Sequence, residues 1–245
     1  MRIDKGKLKY AADTALTLLV MLGTLSLAWI GLTKTESIPV SAKPKTGETT
    51  IIQGDTIIVI DAGHGGFDGG ATGVNTGVPE AGLNLEVAKL LKEKLKKCGL
   101  TVIMTRTDEN ALGSTKSEDM DARRRIMELD QVDICVSIHM NKFRDSTVSG
   151  PMVFYMRGSE EGKALAEHVM GNICELTGRP LRSANPEDLF VLRVPKAPSV
   201  LVECGFLSNA ADEAKLMTGE YRNTLAEGIA QGIAEYLAAA KNGDT

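Results

Sequence analysis

Short apolar runs alternate with longer amphipathic ones along most of the chain. Asp55–Asp61, Leu100–Arg106, Val132–His139, Pro151–Met156 and Ser199–Glu203 are brief and rich in Val and Ile, which predicts β-strands; Asp188–Val194 predicts a weaker sixth. Over Glu80–Lys97, Leu83, Val87, Leu90, Leu91 and Leu95 form one helical stripe. Lysines fill the last turn there and Gly99 follows, the signature of a helix end. The same period predicts helices over Asp121–Leu129, Ser159–Leu176, Ala210–Met217 and Tyr221–Ala239. Strands alternating with helices specify an α/β domain: a mostly parallel twisted sheet flanked by helices, with ligands bound beyond the carboxyl ends of the strands. No repeat of fixed period is present.

The first fifty residues break this pattern. Arg2, Lys5, Lys7 and Lys9 precede an uncharged run from Thr14 to Leu32. As a helix that run is about 28 Å long, close to the hydrocarbon thickness of a bilayer. It exceeds the apolar length of a cleaved signal, whose nearest small-residue cleavage site, Val40-Ser41-Ala42, is distant. The expectation is a signal-anchor helix over 14–32, with a basic cytoplasmic flank at 1–13 and the rest outside the membrane; secretion after cleavage is the alternative. Residues 33–50 are polar and patternless, a linker; the folded domain is expected over 51–240, with a tail at 241–245.

Charge narrows the function. Residues 1–50 hold 7 basic and 4 acidic side chains, leaving 21 and 28 for the remainder. An acidic body has no means of neutralising a phosphate backbone, so nucleic acid is excluded as a partner. Aromatic residues make up 4% of the chain, too few for rows of stacking rings. Cys98, Cys135, Cys174 and Cys204 contain no C-x-x-C pair and two lie in strand-like runs, so they are read as buried hydrophobes.

What ends each strand is more telling. The first runs into Ala62-Gly63-His64-Gly65-Gly66-Phe67-Asp68-Gly69-Gly70, the third ends Ser137-Ile138-His139-Met140-Asn141, and the last ends Leu201-Val202-Glu203-Cys204-Gly205. Glu80 opens the first long helix after the Gly-rich loop. Two imidazoles and a carboxylate form a catalytic zinc ligand set, and a second carboxylate beside it supplies a general base. The separations of 16, 59 and 64 residues leave open both this site and ordinary strand-end polar residues. The Gly-rich loop is no phosphate cradle: no Lys-Ser/Thr follows it, and Asp68 occupies the last glycine position of G-x-G-x-x-G. His168 lies mid-helix and is read as structural; Arg123-Arg124-Arg125 is read as a solvated face.

Taken in order, IVIDAGHGGFDGGATG, the Glu80 segment ending LNLEVAKLL, VIMTR, DICVSIHMN, Leu192-Arg193 and SVLVECGFLSN resemble the zinc-dependent N-acetylmuramoyl-L-alanine amidases over about residues 57–240. That family cuts the amide between the lactyl group of muramic acid and the first L-alanine of the peptidoglycan stem. The resemblance implies that His64, Glu80 and His139 bind Zn²⁺ and that Glu203 is the acid/base. The set is complete, which argues against a catalytically silent scaffold; a zinc hydrolase of another amide is the remaining alternative. Relatives commonly begin the helix Glu-Lys-Asp, where this chain has Glu80-Ala81-Gly82. Arg106 either forks a stem-peptide carboxylate or makes a structural ion pair. Asn141 bonds either substrate or the groups behind the ligands, or neither. The small anchored layout is similar to the germination-specific type, which works with a deacetylase to form muramic δ-lactam in spore cortex. An activating protein partner is a further expectation for an exported wall hydrolase.

Overall fold

The structure, a computed structural model, describes residues 56–243. The expected flank, signal-anchor and linker lie outside the described residues. Among those described, no helix is long and apolar enough to cross a membrane.

Six strands form one sheet: β1 (Ile57–Ala62), β2 (Thr101–Met104), β3 (Ile134–Asn141), β4 (Met152–Met156), β5 (Asn185–Glu187) and β6 (Ser199–Phe206). Their order is β2-β1-β3-β6-β4-β5, and only the β4–β6 pairing is antiparallel. The helices are α1 (Glu80–Lys97), α2 (Lys116–Met127), α3 (Glu160–Thr177), α4 (Phe190–Arg193), α5 (Ala210–Leu216) and α6 (Gly219–Asn242). The α/β reading therefore holds for the described body.

Strands β1, β3 and β6 read as near-continuous apolar runs because both sheet faces are covered, as parallel sheets require. On one face Ile58 and Ile60 join the main core with Leu91 and Leu95 of α1, Leu165 and Ile173 of α3, and Ile229 and Ile233 of α6. On the other, Val59, Met127 and Cys135 form a smaller cluster. Helices α3 and α6 pack backbone to backbone: a Cβ on Gly232 would lie 2.5 Å from the Val169 Cα.

Two element expectations are corrected. Helix α2 begins at Lys116 rather than Asp121, because the Thr115 hydroxyl accepts from the Glu118 N–H (3.2 Å) while Glu118 accepts from Ser114 (2.8 Å). This capping box sets a start that apolar periodicity does not reveal. Asp188–Val194 is not a strand: Phe190–Arg193 is a helical turn, and the edge strand is Asn185–Glu187. A short apolar run does not distinguish the two, and Pro186 is tolerated because the strand has a free edge.

Candidate metal centre

The fold brings His64, Glu80 and His139 together at the carboxyl ends of the central strands. His64 lies two residues past β1, and His139 lies near the end of β3. Glu80 opens α1, whose preceding Pro79 offers no side-chain cap. The loop substitutes for it: the Glu80 N–H donates to the Ala71 carbonyl (2.8 Å) and the Ala81 N–H to that of Gly69 (3.1 Å). His139 Nδ1 and His64 Nε2 then point at the same oxygen, Glu80 Oε1, at 2.9 and 3.3 Å.

Ligand atoms from all three residues lie within 4.8 Å of one another. A tetrahedral ion with bonds of about 2.0–2.2 Å holds its ligand atoms roughly 3.3–3.6 Å apart, so the donor set fits a metal with small adjustments. His64, Glu80 and His139 thus form a potential metal site. The imidazoles are about one-fifth exposed while Glu80 is buried, so the cluster opens to solvent on the histidine side.

Two of the three, Glu80 and His64, are held from behind. Glu80 Oε2 accepts from the Ala71 N–H (2.8 Å), and Oε1 accepts from the Met140 N–H (3.1 Å) and Asn84 Nδ2 (3.1 Å). Burial alone would raise the Glu80 pKa, but His139 and His64 outweigh it and keep the carboxyl ionised far below its ordinary range. His64 Nδ1 lies 2.9 Å from Asp68 Oδ2, which leaves Nε2 facing the centre. Asp68 also pairs with Lys116; burial opposes its ionisation, yet Lys116 and His64 hold it down at about 2.

His64 is the one non-glycine residue with positive φ (62°) among those described, a conformation that persists only where the surroundings enforce it. The enforcing group is Arg123, whose Nη2 donates to the His64 carbonyl (2.5 Å). Far from forming a solvated face, Arg123 is 2% exposed and paired with Asp61 (2.6 Å) and Asp119 (2.8 Å). Asp61 is further held by Thr105 and Ser137. Gly63 completes the fit, since a Cβ there would sit 2.2 Å from the His139 ring.

Glu203 stands beside this cluster on β6, in register with His139 on the neighbouring strand. Its Oε2 is buried without a hydrogen-bond partner. Burial, reinforced by the Glu80 charge and opposed by the two histidines, pushes its pKa up to about 7. A carboxyl near neutrality next to an ionised one is the arrangement expected of an acid/base beside a fixed anionic ligand.

Arg106 is placed otherwise than expected. Arg106 is 3% exposed, and its guanidinium donates to four main-chain carbonyls: Ala62 (2.8 Å), Gly63 (3.0 Å), Ala81 (2.7 Å) and Asp108 (2.8 Å). It ties the exit of β1 to the start of α1 and forms neither a carboxylate fork nor an ion pair. Asn141 accepts from the Lys142 N–H (2.8 Å) and lies 3.9 Å from the Met152 sulfur, without reaching the ligands. His168 sits 3.5 Å from Glu235, between α3 and α6. Sequence reasoning passed over Asn84 and Asp68, each four residues beyond a ligand. Asp61, Asp119 and the inward turn of Arg123 carried no local signal.

A family model described as N-acetylmuramoyl-L-alanine amidase matches residues 58–235. The chain belongs to this family. The amidase is 30% identical over 190 residues to the germination-specific N-acetylmuramoyl-L-alanine amidase of Bacillus subtilis, covering 74% of this chain and 79% of that protein. It is 34% identical over 196 residues to the probable cell wall amidase LytH of Staphylococcus aureus, covering 79% and 62%. Among solved structures it resembles the CwlD amidase of Clostridioides difficile, determined in complex with the GerS lipoprotein. There the TM-score is 0.72 and the identity 31%, over 76% of this chain and 100% of that one.

Proposed function

We propose that this amidase is zinc-dependent and hydrolyses the amide between the muramic acid lactyl group and the L-alanine of peptidoglycan stem peptides. The observation that carries the reading is the pairing of a convergent His64–Glu80–His139 donor set with Glu203, a buried carboxyl whose pKa is raised to about 7. Zinc bound by those three residues supplies a Lewis acid that polarises the amide carbonyl and acidifies water near neutral pH. Glu203 takes a proton from the attacking water. It then gives that proton to the departing alanine nitrogen as the carbon–nitrogen bond breaks, so that a lactyl carboxylic acid and a free amine result, and the acid passes its remaining proton to solvent. Asp68, behind the His64 ring, keeps the Nε2 of that residue turned toward the centre.

The proposal extends to place. Residues 14–32 would anchor the chain with its body outside the cytoplasmic membrane, where peptidoglycan lies. The likeness to a germination-specific amidase supports a role in spore cortex maturation, upstream of a deacetylase, with general wall remodelling as the broader setting. The complex formed by the CwlD relative supports a protein partner for this chain.

The test uses the full chain in detergent with Zn²⁺ and purified peptidoglycan, with and without chelator. Mass spectrometry should find stem peptides with a newly freed L-alanine amine, and chelator should suppress them. Cleavage of unrelated acyl-amino acids at the same rate would refute the substrate assignment. Zinc binding without release, even after addition of a cognate lipoprotein, would refute the reaction.

A further inference from the structure

Glu213 has no part in the reaction just described, yet it is among the most completely satisfied carboxylates in the protein. It lies on α5, is 1% exposed, and is remote in sequence from the centre. Its Oε1 accepts from the Thr76 N–H (2.8 Å) and the Thr76 hydroxyl (2.7 Å). Its Oε2 accepts from the Asn75 N–H (2.9 Å) and Asn75 Nδ2 (2.8 Å). The turn from Gly73 to Val78 is wrapped around this one group. Gly73 and Gly77 bond across it (3.0 Å), the Gly73 N–H donates to Val78 (3.0 Å), and a Cβ on Gly73 would come within 2.2 Å of the carboxylate. The Val74 N–H in turn donates to the Leu207 carbonyl (3.0 Å), just past β6.

What this turn delivers is a metal ligand. Pro79 and Glu80 follow Val78 directly, and α1 has no side-chain cap of its own to fix where Glu80 begins. The turn, held by Glu213, is therefore one of the supports that place Glu80, beside the Ala71 and Gly69 carbonyls and Arg106. A buried carboxylate receiving several N–H and O–H donors is a rigid anchor, because releasing any donor leaves it and the anion unsatisfied.

We infer that Glu213 is a positioning residue for the metal centre: it fixes the Gly73–Val78 turn that presents Glu80, and so sets the affinity for zinc. The inference rests on the zinc reading above. It predicts that partners placed behind a ligand, even through a turn, tune metal affinity in the roughly 10–100-fold range.

The experiment measures Zn²⁺ affinity of the full chain in detergent by competition with a chromophoric chelator, alongside circular dichroism. Glu213→Gln should weaken zinc binding about 10–100-fold. Activity should return at saturating Zn²⁺ with kcat near that of the unaltered chain, which a merely structural defect would not allow. Thr76→Val should weaken binding by a smaller factor, and Thr76→Ser, which keeps the hydroxyl, should restore it. Glu227→Ala, which breaks the distant Lys94–Glu227 pair, serves as the control and should leave affinity within twofold. A folded Glu213→Gln chain with affinity within twofold of the unaltered one, or one whose activity zinc does not restore, overturns the inference. Should that variant not fold, unchanged affinity in Thr76→Val overturns it equally. An unaltered chain that binds no zinc overturns the zinc reading itself, and the inference with it.

Discussion

Arg123→Met is the most demanding test of how the centre is built. The substitution keeps an unbranched stem and removes the charged guanidinium. Left behind are Asp61 and Asp119, both about 2% exposed, whose shared cation has gone. Removing one partner from a buried ion pair costs about 3–5 kcal/mol. The lower end applies here, because Asp61 keeps Ser137 and Thr105, and Asp119 keeps the Leu112 N–H. At roughly 2–4 °C per kcal/mol for a body of this size, the melting temperature should fall by about 6–12 °C. The loss should also depend on pH. Burial alone would raise the Asp61 pKa, but Arg123, helped by His139, Ser137 and Thr105, holds it below its ordinary value of 3.8. In the unaltered protein that group contributes stability above pH 3.8, lost as pH falls through the depressed folded value. Without Arg123 burial prevails and the sign reverses, so the penalty grows as pH rises. Thermal melts of the two chains should therefore converge near pH 3 and separate by pH 7. Adding Asp61→Asn to Arg123→Met should recover about 1–2 kcal/mol, within the usual coupling of contacting groups. A variant that melts within 2 °C at pH 7, or that gains nothing from Asp61→Asn, would refute the reasoning.

Other consequences are simpler to check. Glu203→Gln should keep stoichiometric zinc by elemental analysis and lose turnover by at least about 100-fold, the contribution typical of a general acid/base. In the metal-free protein the same variant should be more stable than the unaltered chain at pH 8, by up to about 3 kcal/mol for a pKa raised from 4.5 to about 7. That advantage should vanish below pH 4.5, where the carboxyl is protonated in both folded and unfolded chains. Gly63→Ala drives a methyl group into the His139 ring and should abolish zinc binding while far-UV circular dichroism stays native. Under native alkylation Cys98, the half-buried thiol, should label first. Cys135, buried and pushed up to about 12, should react only on unfolding, as mass spectrometry of the labelled peptides would show.

The parts of this protein that periodic burial controls were open to reading from the chain. The main helices and five of the strands follow from stripes and runs of apolar residues, and the two candidate histidine ligands stand out because they fall at or just past strand ends. Local chemistry that overrides periodicity was harder: the capping box at Thr115 extends α2 by a turn, and a four-residue helix occupies the DLFVLRV run. Hardest were charges that face inward. Arg123 in the sequence is one of three consecutive arginines, and only the placement of Asp61 on β1 makes one of them a buried anchor. Arg106 is similar, because its partners are carbonyl oxygens, which every residue carries and no sequence marks.

The ladder between β3 and β6 carries a consequence for how the enzyme comes into being. All three candidate ligands lie between residues 64 and 139, but the carboxyl that moves the proton is supplied by β6, and the clamp on the Gly73–Val78 turn by α5. A chain still emerging during synthesis therefore carries its candidate ligands with neither the acid/base nor the clamp. Hydrolytic capacity requires the sixth strand in its place between β3 and β4. A truncated fragment of this wall-cutting enzyme is accordingly an inert one.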